Sequence, residues 1–221
     1  MFQAIPFGMA FLLPGSLEIF MLIFSISRRI TGHALTPAQR DALDDQARRG
    51  GHSCDYCGYS SPHNRAVFRD TNPLNTAQDN LGVADPICEA WQKLDSVSAE
   101  AGVMVYLPAL APEDANHLQR AIVQALSSTD DEYRSDAQAL LDWLTTHDSP
   151  VKQAWGTTHP QAFAQALSRL DEEGRQTAAE RWQHLALVLH PARIKDWLAT
   201  DGLEAGTTWW RAFYHDYLSR S

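Results

Sequence analysis

Apolar residues fall into two regimes along the chain. Over the first 110 positions they come in short runs broken by turn residues, and from Pro112 onward they recur at helical spacing. The opening run "FGMAFLLPGSLEIFMLIFSIS" is split by Pro14-Gly15-Ser16 and holds Glu18. A bilayer span needs roughly 20 continuous apolar residues, so this run reads instead as a buried β-hairpin with strands near 8–13 and 17–25, with membrane contact as the alternative. No positive charge precedes it in "MFQAIP", which argues against a signal peptide. Thr36 as N-cap, Pro37 behind it and Gly50-Gly51 bracket a helix. Then follow a strand "RAVFRD", an Asn-, Thr- and Pro-rich loop "TNPLNTAQDN", a short helix or turn around Cys88 and Trp91, and a strand "GVMVYL" stopped by Pro108.

Six helical stripes are expected beyond residue 110. Leu118, Ile122 and Ala125-Leu126 mark the first, and Tyr133, Ala137, Leu140-Leu141 and Leu144 the second. Phe163, Leu167 and Leu170, opened by Pro160, mark the third. Trp182, Leu185 and Leu189 mark the fourth, ended by His190-Pro191, with His184 and His190 too far apart in angle to share a face. Ile194 and Trp197-Leu198 mark a short fifth, closed near Gly202, and Trp210, Phe213-Tyr214 and Tyr217 the last. The clusters Asp130-Asp131-Glu132 and Asp171-Glu172-Glu173 suit helix starts, where carboxylates meet the positive end of the dipole. Trp143, Trp182 and Trp197 are expected in the core. Trp209 and Trp210 are neighbours on a helix and diverge by about 100°, so one of them is a candidate contact for a partner.

Composition narrows the function. With 221 residues, 44% of them hydrophobic, the chain can bury a core. Its net charge is −9, negative in both halves, which argues against a nucleic-acid binder. Three cysteines, an odd number, do not form a secreted disulfide framework, and the expected location is the cytoplasm. No Gly-rich phosphate loop, Gly-x-Ser-x-Gly elbow or His-Glu-x-x-His motif is present.

The remaining chemistry lies in "CDYCGYSSPHN", residues 54–64, where Cys54-x-x-Cys57-Gly58 has the form of a zinc knuckle. The order of turn, strand, Asn-rich loop and "DNLGVADPICEAW" resembles the ββα-metal core of HNH endonucleases. In zinc-bearing members of that superfamily a second Cys-x-x-Cys follows an Asn-Leu pair. Here Asn80-Leu81 matches the pair, and Asp85-Pro86-Ile87-Cys88 matches the second Cys-x-x-Cys with aspartate in place of one cysteine. The resemblance implies zinc held by Cys54, Cys57, Asp85 and Cys88. His52, His63 or water are alternative fourth ligands, and buried thiols holding no metal are another reading. The HNH general base is missing, because the first strand ends Val67-Phe68-Arg69-Asp70 without a histidine. An HNH-type nuclease or nicking accessory is therefore the lesser reading.

A narrower resemblance covers most of the chain. "CDYCGY", "VFRDTNPLNTAQDNL" through Cys88, "GVMVYLPALAPEDANHL" and the upstream "LLPGSLEIF" are similar to the DotN (IcmJ) family of type IVB (Dot/Icm) secretion and related conjugation systems. That resemblance implies a non-enzymatic adaptor with an HNH-like zinc fold, binding a segment of the inner-membrane coupling-protein ATPase and touching the membrane only through the complex. The expected fold class is α+β. It has an N-terminal β-hairpin and a zinc-centred ββα core over residues 1–110, followed by a helical region over 111–221 packed on it.

Overall fold

The computed structural model describes residues 21–27, 36–49 and 52–198. Among these the fold is α+β, with two small antiparallel sheets surrounded by helices. Helix α1 spans Pro37–Arg49. Its start is a reciprocal capping box, in which Gln39 N donates to Thr36 Oγ1 and Thr36 N donates to Gln39 Oε1.

Strand β1 (Arg65–Phe68) pairs with β2 (Leu81–Ala84), from Arg65 opposite Ala84 to Phe68 opposite Leu81. The connection crosses the Asn-rich loop, which ends in a single 3-10 turn over Gln78–Asn80. Strand β2, wholly buried, is an element the sequence pattern did not separate from that loop. Helix α2 (Pro86–Gln92) follows directly, so the local order is strand, strand, helix. A second 3-10 turn, Leu94–Ser96, leads to β3 (Gly102–Tyr106).

Helices α3 (Pro112–Leu126), α4 (Asp131–Thr146), α5 (Asp148–Trp155), α6 (Pro160–Ser168) and α7 (Glu172–Arg181) come next. Both acidic clusters do start helices. Asp130 caps α4, its carboxylate accepting from Glu132 N and Tyr133 N, and Asp171 caps α7, accepting from Gly174 N. Helix α5 has one fully buried side chain, Val151, and so left no apolar stripe to read.

The fourth helical stripe is corrected. Leu185–Leu189 is a strand, β4, paired antiparallel with β3 from Gly102 opposite Leu189 to Tyr106 opposite Leu185. Trp182, Leu185 and Leu189 lie three and four apart, which imitates a helix face. The intervening Ala186, Leu187 and Val188 are equally buried, as suits a strand covered on both faces. The region after residue 110 is therefore not purely helical, and His184 and His190 flank a strand rather than share a helix. Helix α8 (Pro191–Leu198) follows it.

The outer edge of β4 is closed by one side chain. Gln119 on α3 donates from Nε2 to Leu187 O at 2.9 Å and accepts from Leu189 N at Oε1, 2.8 Å. It does what a neighbouring strand would do, so neither buried backbone group is orphaned. Both sheets share one apolar core that runs from Leu22 to Ile194. An aromatic chain crosses it: Phe24 stacks on Trp91 at 4.2 Å and meets Trp182 edge-on, and Trp182 meets Phe163 edge-on.

Residues 21–27, which include the end of the expected hairpin's second strand (17–25), belong to no sheet. Leu22 and Phe24 point inward while Met21 and Ile23 are exposed, and Ser25 exchanges backbone hydrogen bonds with Trp91 and Leu94. The alternation belongs to a strap over α2, and the rest of the hairpin lies outside the described residues. Trp182 is buried, but Trp143 is not. It stands on the outer face of α4 with Leu140, because the inward positions are Ala137, Leu141 and Leu144. The Trp197 side chain and Trp209-Trp210 lie outside the described residues. No described helix is long and apolar enough to cross a membrane.

Candidate metal centre

The knuckle is built by its own backbone. Gly58 N donates to Cys54 O and Cys54 N to Tyr59 O, both at 2.9 Å, while Ser53 bridges Ser60. Gly58 has φ 70°, in the left-handed region where a Cβ is costly, so glycine after the second cysteine closes the turn. Asp55 docks this loop on β2: its N–H reaches Val83 O at 2.8 Å and its Oδ2 accepts from Val83 N and from Arg69. Gly82 leaves the room, since a Cβ there would lie 2.7 Å from Asp55 Oδ2.

At the other end of β2, Asp85 caps α2, with Oδ1 accepting from Ile87 N at 2.7 Å and from Cys88 N at 3.4 Å. The cap turns Oδ2 toward the knuckle, where it lies 3.0 Å from Cys57 Sγ. Three residues on, nearly one helical turn, Cys88 faces the same point. The ligand atoms of Cys54, Cys57, Asp85 and Cys88 all lie within 4.8 Å of one another, and these four can hold a metal ion. All are buried, Cys88 and Asp85 almost completely. Neither His52 nor His63 joins this group.

Helix α3 closes the cluster with groups that sequence reasoning missed. Arg120 Nη2 lies 2.6 Å from Asp85 Oδ2 and donates to Cys57 Sγ at 3.3 Å. Its Nη1 meets His117 Nδ1, and its guanidinium sits 4.3 Å over the Tyr59 ring. Asn116 Nδ2 donates to Cys88 Sγ at 3.3 Å, and His117 Nε2 contacts Cys57 O at 2.9 Å. The buried face of α3 is thus polar at Asn116, Gln119 and Arg120. An apolar-periodicity reading assigns such positions to solvent. The signal was their recurrence at one, four and five residues from Ala115, a helix face with no apolar label.

The electrostatics are those of a crowded anionic cluster. Hydrogen bonds from Cys57 and Cys88 hold the Cys54 thiol down to about 4, against burial. Cys88, the donor in one of these bonds and deeply buried, is pushed up. Burial pushes Asp85 up, with Arg120 opposing. Burial also acts against the Arg120 charge, but Asp85 and Cys57 outweigh it and hold the guanidinium protonated.

Asp70 and Asn80, the residues that the HNH resemblance sets near its catalytic positions, do not join this cluster. Both carboxylate oxygens of Asp70 are engaged, Oδ1 by Asn72 N and Asn80 Nδ2 and Oδ2 by Asn75 Nδ2, while Asp70 N donates to Asn80 Oδ1. Asp70 and Asn80 therefore organise the loop that joins β1 to β2. No protein-family model matches this chain, and no curated protein matches it.

Proposed function

We propose that this protein is a non-enzymatic adaptor whose Cys54, Cys57, Asp85 and Cys88 hold one structural zinc ion. The observation that carries the metal reading is the convergence of three thiols and a carboxylate from two segments on one buried point. Zn–S bonds of about 2.3 Å set tetrahedral sulfurs about 3.8 Å apart, within the span these atoms occupy. Sulfur-rich, fully protein-lined sites favour zinc over magnesium or calcium, which prefer oxygen and water. Burial of all four groups leaves no open position for substrate, so the ion's role is to clamp the knuckle to α2.

The strand–strand–helix order behind the knuckle supports an HNH-like core, and the structural use of Asp70 supports the absence of nuclease chemistry. The adaptor role rests on the sequence resemblance to the DotN (IcmJ) family. In that reading the protein docks a segment of the coupling-protein ATPase of a type IVB secretion or conjugation system and has no nucleic-acid partner. The test is direct binding, by calorimetry, of the purified chain to the coupling ATPase encoded in the same secretion locus. Saturable binding by the zinc-loaded chain is expected. Absence of binding, or plasmid cleavage with Mg²⁺ or Mn²⁺ that Asp70→Ala abolishes, contradicts the adaptor reading.

A further inference from the structure

We infer that Arg120 is the positioning residue of the metal centre, holding Asp85 as a ligand and supplying the positive charge that lets three thiolates and a carboxylate share one divalent ion. The inference rests on the zinc reading above and goes beyond it by assigning the site's specificity to a residue outside the ligand set.

Three thiolates and a carboxylate around Zn²⁺ leave two net negative charges in a pocket where Asp85 is 1% exposed. Uncompensated buried charge is expensive, and a cation in contact is the direct remedy. Arg120, 6% exposed, is that cation, and its contacts fall on the cluster itself: Asp85 Oδ2 at 2.6 Å and Cys57 Sγ at 3.3 Å.

A planar guanidinium presents several N–H groups at fixed angles, so it can grip a carboxylate and a sulfur together, which a lysine ammonium on its flexible stem does poorly. Asp85 is fixed from both ends, with Oδ1 held by the N–H groups of α2 and Oδ2 by Arg120. A carboxylate so fixed has lost the freedom that makes aspartate a poorer structural ligand than cysteine. Arg120 is itself steadied by His117 and by the Tyr59 ring. Outer-shell partners of this kind are typically worth about tenfold to a hundredfold in metal affinity.

The consequence is an accommodation between two distant positions. A cysteine at position 85 would leave the same charge on the cluster but need no external grip, whereas the aspartate needs its Oδ2 held from α3.

The experiment titrates metal-free full-length protein with Zn²⁺ against a chromophoric chelator, for the native chain, Arg120→Lys, Arg120→Met, Asp85→Cys and Asp85→Cys/Arg120→Met, with circular dichroism as the check on folding. Arg120→Met should weaken Zn²⁺ binding by about tenfold to a hundredfold, and Arg120→Lys, which keeps the charge but loses the fork, should fall between. In the Asp85→Cys background the loss on adding Arg120→Met should be smaller. Native affinity in folded Arg120→Lys and Arg120→Met overturns the inference and leaves the zinc reading intact. An equal loss in both backgrounds shows that Arg120 does not act through Asp85 and overturns it as well. A folded native chain that takes up no zinc overturns both readings together.

Discussion

Asp85 divides its two oxygens between two elements: Oδ2 pairs with Arg120 Nη2 at 2.6 Å, and Oδ1 caps α2 at Ile87 N, 2.7 Å. The pair is buried on both sides. Its removal therefore has two separable effects. Asp85→Asn keeps a competent cap and leaves Arg120 without its counter-charge, whereas Asp85→Ala removes both. Breaking a buried pair from one side costs about 3–5 kcal/mol, and the lost cap adds about 1 kcal/mol. Denaturant unfolding of metal-free protein should rank native above Asp85→Asn above Asp85→Ala. Equal stability of the two variants contradicts the cap.

Gln119 stands in for a strand at the edge of β4. Gln119→Leu leaves Leu187 O and Leu189 N buried without a partner, each worth about 1–3 kcal/mol. Gln119→Glu keeps the acceptor for Leu189 N and loses the donor to Leu187 O, adding a buried charge. Both should lower the unfolding midpoint, and amide exchange at Leu189 should accelerate in Gln119→Leu but less so in Gln119→Glu. Unchanged exchange in both contradicts the edge role.

Gly82 is fixed by what crosses over it. A Cβ would lie 2.7 Å from Asp55 Oδ2 and 2.9 Å from Arg69 Nε, so Gly82→Ala forces apart the pair that docks the knuckle on β2. Overpacking of this kind costs about 1–3 kcal/mol. Thermal unfolding of Gly82→Ala should show that loss, and combination with Asp55→Ala should recover part of it by removing the carboxylate in the way. A double variant no more stable than the sum of the single changes refutes the steric account.

Tyr56 gives a pH signature of the same region. Burial pushes its phenol up to about 12, with the hydrogen bond donated by Gln92 Nε2 opposing. An unfolded tyrosine ionises near pH 10. Between these values the unfolded chain has lost a proton that the folded chain keeps, so stability is full below about pH 10 and falls as pH rises toward about 12. Tyr56→Phe should flatten that part of the decline, measured as denaturant midpoints at about pH 9 and about pH 11. An identical slope in the variant contradicts the assignment.

The sequence was most legible where one local rule decides the outcome. Thr36-Pro37, Asp130 and Asp171 announce helix starts because capping is settled within four residues. Cys54-x-x-Cys57-Gly58 announces a knuckle because the turn needs glycine's positive φ. It was least legible where burial reverses the usual code. Leu185–Leu189 is buried on both faces and so has no alternation to mark it as a strand. Leu140 and Trp143 are apolar and face outward. Asn116, Gln119 and Arg120 are polar and face inward, because their partners, Cys88, β4 and Asp85, lie at least 28 positions away in sequence. Asp85 could be matched to a ligand position through the HNH resemblance, but its contact with Arg120 required the fold.

Elemental analysis of the purified native chain decides whether the four-residue cluster is a structural zinc site. One zinc per chain is expected, lost in Cys88→Ser with a fall in thermal stability. A native preparation that is metal-free, stably folded and unchanged on adding zinc would contradict it.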